Sequence, residues 1–229
     1  MAREILVADD HPLFREALRH ALGRAVPDAD VVEADTVAAL LEAAEQHPDA
    51  ELLLLDLNMP GAQGFSALVQ MRAHFPSLPV VIISANEDPI VIRRSIGHGA
   101  AGFVPKSSTV DQMVEALQAV LDGDSWIPPA VDMEAGGLEA PEADIASRLA
   151  SLTPQQFRVL TMLSSGLLNK QIAYELGVSE ATVKAHMTAI MQKLGATNRT
   201  QAVVLSQRLA LDQPGLADRD GAQAEASSA

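Results

Sequence analysis

The sequence predicts an α/β fold, a doubly wound parallel sheet of five strands covered on both faces by helices, followed by a small all-α module of four helices. Three observations carry this expectation. Short β-branched or leucine runs alternate with helical patterns through the first half of the chain. After Asp124 both periodicities dissolve. From Leu152 onward only helix signals remain.

The candidate strands are Ile5–Ala8, Asp30–Glu33, Leu52–Leu55, Val80–Ile83 and Gly102–Val104. Between and after them lie candidate helices at Pro12–Arg24, Val37–Gln46, Gly64–His74, Pro89–His98 and Val110–Leu121. Five βα units result, and the right-handed crossover rule then leaves few topologies. Residues 1–124 form this domain, and 125–150 read as a linker. The linker carries Trp126-Ile127-Pro128-Pro129, Gly136-Gly137 and Pro141, a flexible composition with room for a helix near Ala143–Leu149.

Residues 151–211 form the helical module. Thr153-Pro154-Gln155-Gln156 supplies an N-cap threonine, a proline at the first helical position and a glutamine that closes a capping box. The first helix runs to about Ser165, where Gly166 ends it. Asn169 is expected to cap a short helix through Leu176. Gly177-Val178 makes a turn, Ser179 caps a third helix to Leu194, and Gly195 stops it. A fourth helix spans Arg199 to Ala210. The tail 212–229, rich in Ala, Gly, Ser and acids, reads as disordered.

The absence of cysteine excludes disulfides, thiolate zinc sites and a cysteine nucleophile. The longest apolar runs, such as Leu52 to Leu55, are strand-sized and far below the ~20 residues a membrane helix needs. Met1 to Glu4 lead straight into a strand pattern without a signal-peptide core, so the expectation is a cytoplasmic protein with no membrane partner.

The formal net charge of −14 is unevenly distributed. Residues 1–124 hold 8 Lys+Arg against 19 Asp+Glu, a net −11, and residues 125–150 hold 1 against 5, a net −4. Residues 151–211 reverse the sign, with 6 against 2, a net +4, and the tail returns to −3. A small basic module is attached to an acidic one.

In a parallel α/β sheet, functional groups gather at the carboxyl ends of the strands near the point where the strand order reverses. Asp9 and Asp10 follow the first strand, Asp56 follows the third, Ser84 closes the fourth and Lys106 lies just past the fifth. Clustered carboxylates repel unless a cation joins them, and an all-oxygen site with room for water suits Mg2+. An aspartate is also a competent nucleophile toward phosphorus, with the metal and a lysine neutralising the phosphoryl oxygens. These residue types assign Asp56 as phosphoacceptor and Asp9, Asp10, Asp56 and the backbone carbonyl of Asn58 as metal ligands. Lys106 and Ser84 then act as partners of the phosphoryl group. His11, with no second histidine at ligand spacing, reads as a lead-in to the first helix, neither catalytic nor a metal ligand.

Four segments carry a resemblance: Asp9-Asp10-His11-Pro12-Leu13-Phe14-Arg15, Asp56-Leu57-Asn58-Met59-Pro60-Gly61, Ile83-Ser84-Ala85, and Gly99 through Lys106. In this order and spacing the chain resembles the receiver domains of two-component response regulators, more narrowly the NarL/FixJ subfamily, over residues 4–122. The resemblance implies strand order 2-1-3-4-5, a sensor histidine kinase as partner, and a switch in which Ser84 and Phe103 rearrange on phosphorylation. One departure is that many receivers place a cis proline after the lysine, where this chain has Ser107.

The segment Leu152 through Val203 resembles the LuxR-type helix-turn-helix. The match includes Asn169-Lys170-Gln171-Ile172-Ala173, Leu176-Gly177-Val178-Ser179, Thr182-Val183-Lys184-Ala185-His186 and Lys193-Leu194-Gly195-Ala196. Val178, Val183, Ile190 and Leu194 form an apolar stripe that packs the third helix onto the others. The resemblance implies that Lys184, Ala185 and Thr188 face the major groove, while Lys170, Thr182, Lys193, Asn198 and Arg199 meet phosphates. Acidic residues usually stand in this family where this chain has Gln156 and Arg158. With few basic contacts per module, the expected form on promoter DNA is a homodimer.

The reading is thus a response regulator transcription factor and not an enzyme. Two rivals remain at this stage. One is a receiver indifferent to phosphate that controls DNA binding through a partner or ligand. The other is an aspartyl-phosphate hydrolase, which would normally carry a second acid where Asn58 stands, and a substrate cap.

Overall fold

A computed structural model describes residues 3–61, 64–133 and 140–211. Five strands, β1 (Glu4–Ala8), β2 (Asp30–Ala34), β3 (Leu52–Asp56), β4 (Val80–Ser84) and β5 (Gly102–Pro105), form one parallel sheet in the order β2-β1-β3-β4-β5. Each expected strand is present and one residue longer at one end. The connecting helices are α1 (Pro12–Ala25), α2 (Val37–Gln46), α3 (Ser66–His74), α4 (Pro89–Gly97) and α5 (Val110–Leu121). Helix α3 begins two residues later than the expected Gly64, because Gly64 takes φ +55° in the preceding turn.

Side-chain alternation divides the core into two layers. Ile5, Val7, Leu52, Leu54, Val81, Ile83 and Val104 pack with α1 and α5, whereas Leu6, Leu53, Leu55, Val80, Ile82 and Phe103 face α2, α3 and α4. Because both faces are covered, the strands read as continuous apolar runs. The second layer continues without a break into the C-terminal helices, through buried Leu149, Leu152, Phe157 and Leu160.

Those helices are α6 (Ala140–Ala150), α7 (Pro154–Ser164), α8 (Asn169–Glu175), α9 (Glu180–Leu194) and α10 (Arg199–Leu211). The Thr153 capping box at α7 forms as the sequence requires, with Gln156 accepting from the Thr153 N–H at 3.1 Å. Ser179 caps α9, and Gly195 ends it at φ +68°. Helix α8 corrects one expectation. Its N-cap is Leu168 and not Asn169, because the Gln171 side chain reaches back to the Leu168 N–H at 2.8 Å and satisfies that end of the helix.

The segment expected to be a flexible linker is anchored at both described ends. Trp126 pairs with β5, accepting from the Phe103 N–H at 3.0 Å, so the sheet edge extends past Asp124. Helix α6 packs on α3, which fixes the chain before α7 begins. Gly136-Gly137 and the tail 212–229 lie outside the described residues.

Candidate functional site: an acidic pocket and a helical reading face

The sheet order runs away from β1 in both directions, so the loops after β1 and β3 diverge and leave a crevice at their carboxyl ends. Asp9, Asp10 and Asp56 meet there. Asp9 and Asp56 are each 1% exposed, a severe desolvation for carboxylates. The Lys106 Nζ answers them from the end of β5, 2.7 Å from Asp9 Oδ2 and 2.8 Å from Asp56 Oδ2. Burial pushes the Lys106 ammonium down, but its hydrogen bonds to Asp56 and Asp9 outweigh that and leave it raised above its ordinary value. The ammonium also stands 4.7 Å over the Phe14 ring.

The backbone braces the same groups. Asp56 Oδ1 accepts from the Asn58 N–H at 3.0 Å, and Asp9 Oδ1 accepts from the His11 N–H at 2.7 Å. Arg15 donates to the Asp9 carbonyl at 2.6 Å while its Nε pairs with Glu33, which ties α1 and β2 to the pocket rim. The Glu33 carboxyl is held below its usual range first by its hydrogen bond with Arg19. Ser84 is fully buried at the end of β4, with its Oγ accepting from the Asn86 N–H at 3.1 Å, and Phe103 is fully buried one strand away.

Two buried atoms, Asp9 Oδ2 and Asp10 Oδ1, have charged or polar neighbours but no hydrogen bond of good geometry. One ammonium shared between Asp9 and Asp56, with Asp10 beside the His11 ring, leaves negative charge uncompensated, and that deficit fits a divalent cation. His11 leads into α1 as its N-cap residue, as expected, and its ring also lies among the carboxylates. Its Nδ1 lies 2.7 Å from Asp10 Oδ1, 3.3 Å from Asp9 Oδ1 and 3.9 Å from Asp56 Oδ2. Phe14 and Arg15 were visible in the same string of residues, but neither residue type announces a role in a phosphoryl pocket.

In the C-terminal helices, Val183, Met187, Ile190 and Leu194 are buried along one stripe of α9, and Val178 before it is half-buried. The stripe omitted Met187 at the sequence level because a flexible thioether is a weak marker of a core face. Lys184, Ala185 and Thr188 lie exposed on the outward side of α9, and Lys170 is exposed in the first turn of α8. The remaining four expected phosphate contacts are engaged within the fold. Lys193 donates to the Ser151 carbonyl at 2.7 Å and to Gln156 at 2.8 Å, and Arg199 donates to the Leu167 carbonyl at 2.7 Å. Thr182 pairs with Ser179, and Asn198 accepts from the Gln201 N–H.

The family model described as response regulator receiver domain matches residues 5–118, and that described as bacterial regulatory proteins, luxR family, matches residues 150–206. The glycerol metabolism activator of Pseudomonas putida is 42% identical over 206 residues, which span 88% of this chain and 93% of that protein. This chain belongs to the response regulators with a LuxR-type helix-turn-helix. The probable transcriptional regulatory protein NarL of Mycobacterium tuberculosis is 35% identical over 209 residues, 89% of this chain and 93% of that protein. Among solved structures, RcsB of Salmonella enterica serovar Typhimurium, bound to promoter P1flhDC in the presence of phosphomimetic BeF3-, is 26% identical. Its TM-score is 0.51, with 90% of this chain and 98% of that one covered.

In this response regulator the receiver and the LuxR-type module are docked. Gln70 on α3 donates to the Leu149 carbonyl, and His74 meets the Leu152 carbonyl at 2.5 Å. Arg94 and His98, at the two ends of the last turn of α4, converge on Glu142 of α6 at 2.8 and 2.6 Å. Arg158 of α7 faces Glu42 and Glu45 of α2, each at 3.6 Å.

Proposed function

We propose that this response regulator is a phosphorylation-switched transcription factor. Asp56 takes a phosphoryl group from the phosphohistidine of a sensor kinase, and the altered receiver then governs promoter binding by the LuxR-type module. The observation that carries the reading is the buried Asp56 carboxylate, 2.8 Å from the Lys106 ammonium, in one chain with a LuxR-type module.

In the transfer, an Asp56 oxygen forms a bond to phosphorus as the phosphorus–nitrogen bond breaks, and the departing imidazole nitrogen keeps the electron pair. Lys106, already within reach of Asp56, pairs with a phosphoryl oxygen, and the Ser84 hydroxyl donates to another. Asp9, Asp10, Asp56 and the Asn58 backbone carbonyl would hold magnesium, which would supply charge neutralisation for the phosphoryl oxygens. A turned Ser84 frees space beside β5, and Phe103 follows it inward, which biases the surface of α4, β5 and α5.

On DNA, Lys184, Ala185 and Thr188 face base edges in the major groove, while Lys170, Thr182, Lys193, Asn198 and Arg199 lie toward the phosphates. Four of these last five gain that role only by exchanging an internal hydrogen bond for a phosphate oxygen. With so few cations per module, a homodimer on a two-fold site is the form that binds tightly, with half-sites about one helical turn apart. The reading implies a cytoplasmic protein. No described helix is long and apolar enough to cross a membrane.

Intact-mass analysis after incubation with Mg2+ and acetyl phosphate tests this function. The native chain is expected to gain one phosphoryl mass, and Asp56→Asn none. Phosphorylation should also tighten binding to a promoter fragment by about tenfold, the order of one allosteric coupling of 1–3 kcal/mol. Unchanged mass in a chain that still binds DNA would replace this reading with the receiver controlled by a partner or ligand.

A further inference from the structure

We infer that Arg148 of α6 is a positioning residue for DNA reading: its guanidinium caps the C-terminal end of α9 and holds the reading face of that helix at a fixed angle to the duplex. The inference rests on the proposed role of α9 as the reading helix, and it adds a residue from the segment 125–150, which the sequence reads as linker.

The C-terminal end of α9 needs a donor, because the last carbonyls of any helix have no partner within it. The turn at Gly195 satisfies two of them. The Gly195 N–H donates to the Gln192 carbonyl at 3.3 Å, and the Ala196 N–H donates to the Met191 carbonyl at 2.8 Å. The Leu194 carbonyl is reached from outside the module's own helices, by Arg148 Nη1 at 3.1 Å. Asp144, one turn earlier on α6, braces Arg148 Nη2 at 2.9 Å. A β-carbon at Gly195 would stand 2.7 Å from Arg148 Nη1, so the guanidinium fills space that only glycine leaves open. Its positive charge also faces the negative end of the helix dipole.

Anchorage at one end of a helix sets the pose of the other. At about 1.5 Å per residue, about 15 Å of helix separates Lys184 from Leu194. A tilt of about 10° at the anchored end therefore displaces the side of Lys184, Ala185 and Thr188 by about 2–3 Å, more than a hydrogen bond to a base edge tolerates. Helix α6 is a firm support for this purpose, since Glu142 on the same helix meets Arg94 and His98 of the receiver at 2.8 and 2.6 Å. The Arg148 side chain is itself 44% exposed, so its contacts direct α9 more than they stabilise it, and their loss should leave the module folded.

The test uses the full chain and two duplexes, one enriched by the native chain from a random-sequence pool and one scrambled from it. Arg148→Met, which keeps the apolar stem, is expected to bind the enriched duplex about fivefold more weakly, the order of one charge-assisted hydrogen bond at a half-exposed helix end. Binding to the scrambled duplex and the slope of affinity against salt should match the native chain, because a positioning residue neutralises no phosphate. Arg148→Lys, which can still donate to the Leu194 carbonyl, should recover most of the loss. Gly195→Asn keeps a residue type that accepts left-handed backbone but puts a side chain where the guanidinium lies, and it should reproduce the effect of Arg148→Met. If Arg148→Met equals the native chain on both duplexes, weakens both equally, or lowers the salt slope by about one, the positioning role is overturned. Failure of the native chain to enrich any sequence, or unchanged discrimination in Lys184→Ala, would instead overturn the assignment of α9 as the reading helix.

Discussion

Replacing Lys106 with methionine should destabilise the cation-free protein by about 2–4 kcal/mol, and Mg2+ should restore most of the loss. Breaking a buried ion pair by removing one partner costs about 3–5 kcal/mol, since the remaining charge has no compensation. Here the ammonium is 15% exposed while both carboxylates are 1% exposed, so a modest discount applies to the lysine and none to the acids it leaves behind. Methionine keeps the length and apolar stem, and its contact with Phe14 survives as a sulfur–aromatic one. The measurement is urea unfolding of both chains with and without Mg2+. The larger response must come from the variant, because its carboxylates have nothing else to neutralise them. Equal responses would mean that Lys106 contributes no compensation to the pocket.

The pH dependence of the native chain follows from the same contacts. Burial lowers the Lys106 pKa, and the bonds to Asp56 and Asp9 raise it further than burial lowers it. A cation whose folded pKa is raised contributes stability in full below its unfolded value of 10.5 and loses it as the pH climbs through the folded value. The native chain should therefore lose this contribution only in strongly alkaline solution, and Lys106→Met should show no such step.

The receiver sheet was legible because its information is local and redundant. Four apolar runs such as Leu52 to Leu55 are buried on both faces, so each reads as a strand without knowledge of its neighbours, and only the edge strand β2 keeps exposed polar residues, Asp30 and Glu33. The acids of the pocket were legible for a related reason, since strand ends in this topology converge, Asp9 and Asp10 come just after β1 and Asp56 ends β3. What stayed hidden depends on contacts between distant segments. Nothing in the neighbourhood of Glu142 tells that its carboxylate meets Arg94 and His98, 48 and 44 residues earlier. The linker expected from proline and glycine is instead tied down by Trp126 on the sheet edge and by α6 on α3. Composition registers the absence of a strong local preference, and a docked helix needs only a partner surface.

Glu142→Gln should release the LuxR-type module from the receiver. The carboxylate is the shared acceptor of Arg94 Nε and His98 Nε2, with side chains that are 7% and 2% exposed. If the domains stayed docked, Arg94 Nε and His98 Nε2 would share an amide where they now share a carboxylate, at a cost in charge compensation. Separation avoids that cost by returning Arg94 to water. The cheaper route wins whenever the docking of α6, which is apolar at Leu149 and Leu152 as well as polar at this clasp, is weaker than the penalty. Small-angle scattering should then show a larger radius of gyration for Glu142→Gln, with unchanged helix content.

Acidification should act in the same direction. Burial holds the His98 pKa below its ordinary value, the Glu142 contacts oppose this, and the Arg94 charge adds to the lowering, with the Phe65 ring 5.0 Å away. A histidine with a lowered pKa favours the docked state fully above about 6.5, and that contribution is lost as the pH falls through the lowered value. The native chain should therefore expand as the pH drops below about 6.5, and His98→Asn, which cannot take up the proton, should flatten that response. Such a clasp joins the last turn of α4 to the helix that leads into the DNA-binding module. A rearrangement of the α4 surface on phosphorylation then has a direct mechanical route to the output domain. If Glu142→Gln and the native chain scatter alike across this range, the route must run instead through the contacts of α3 with Leu149 and Leu152.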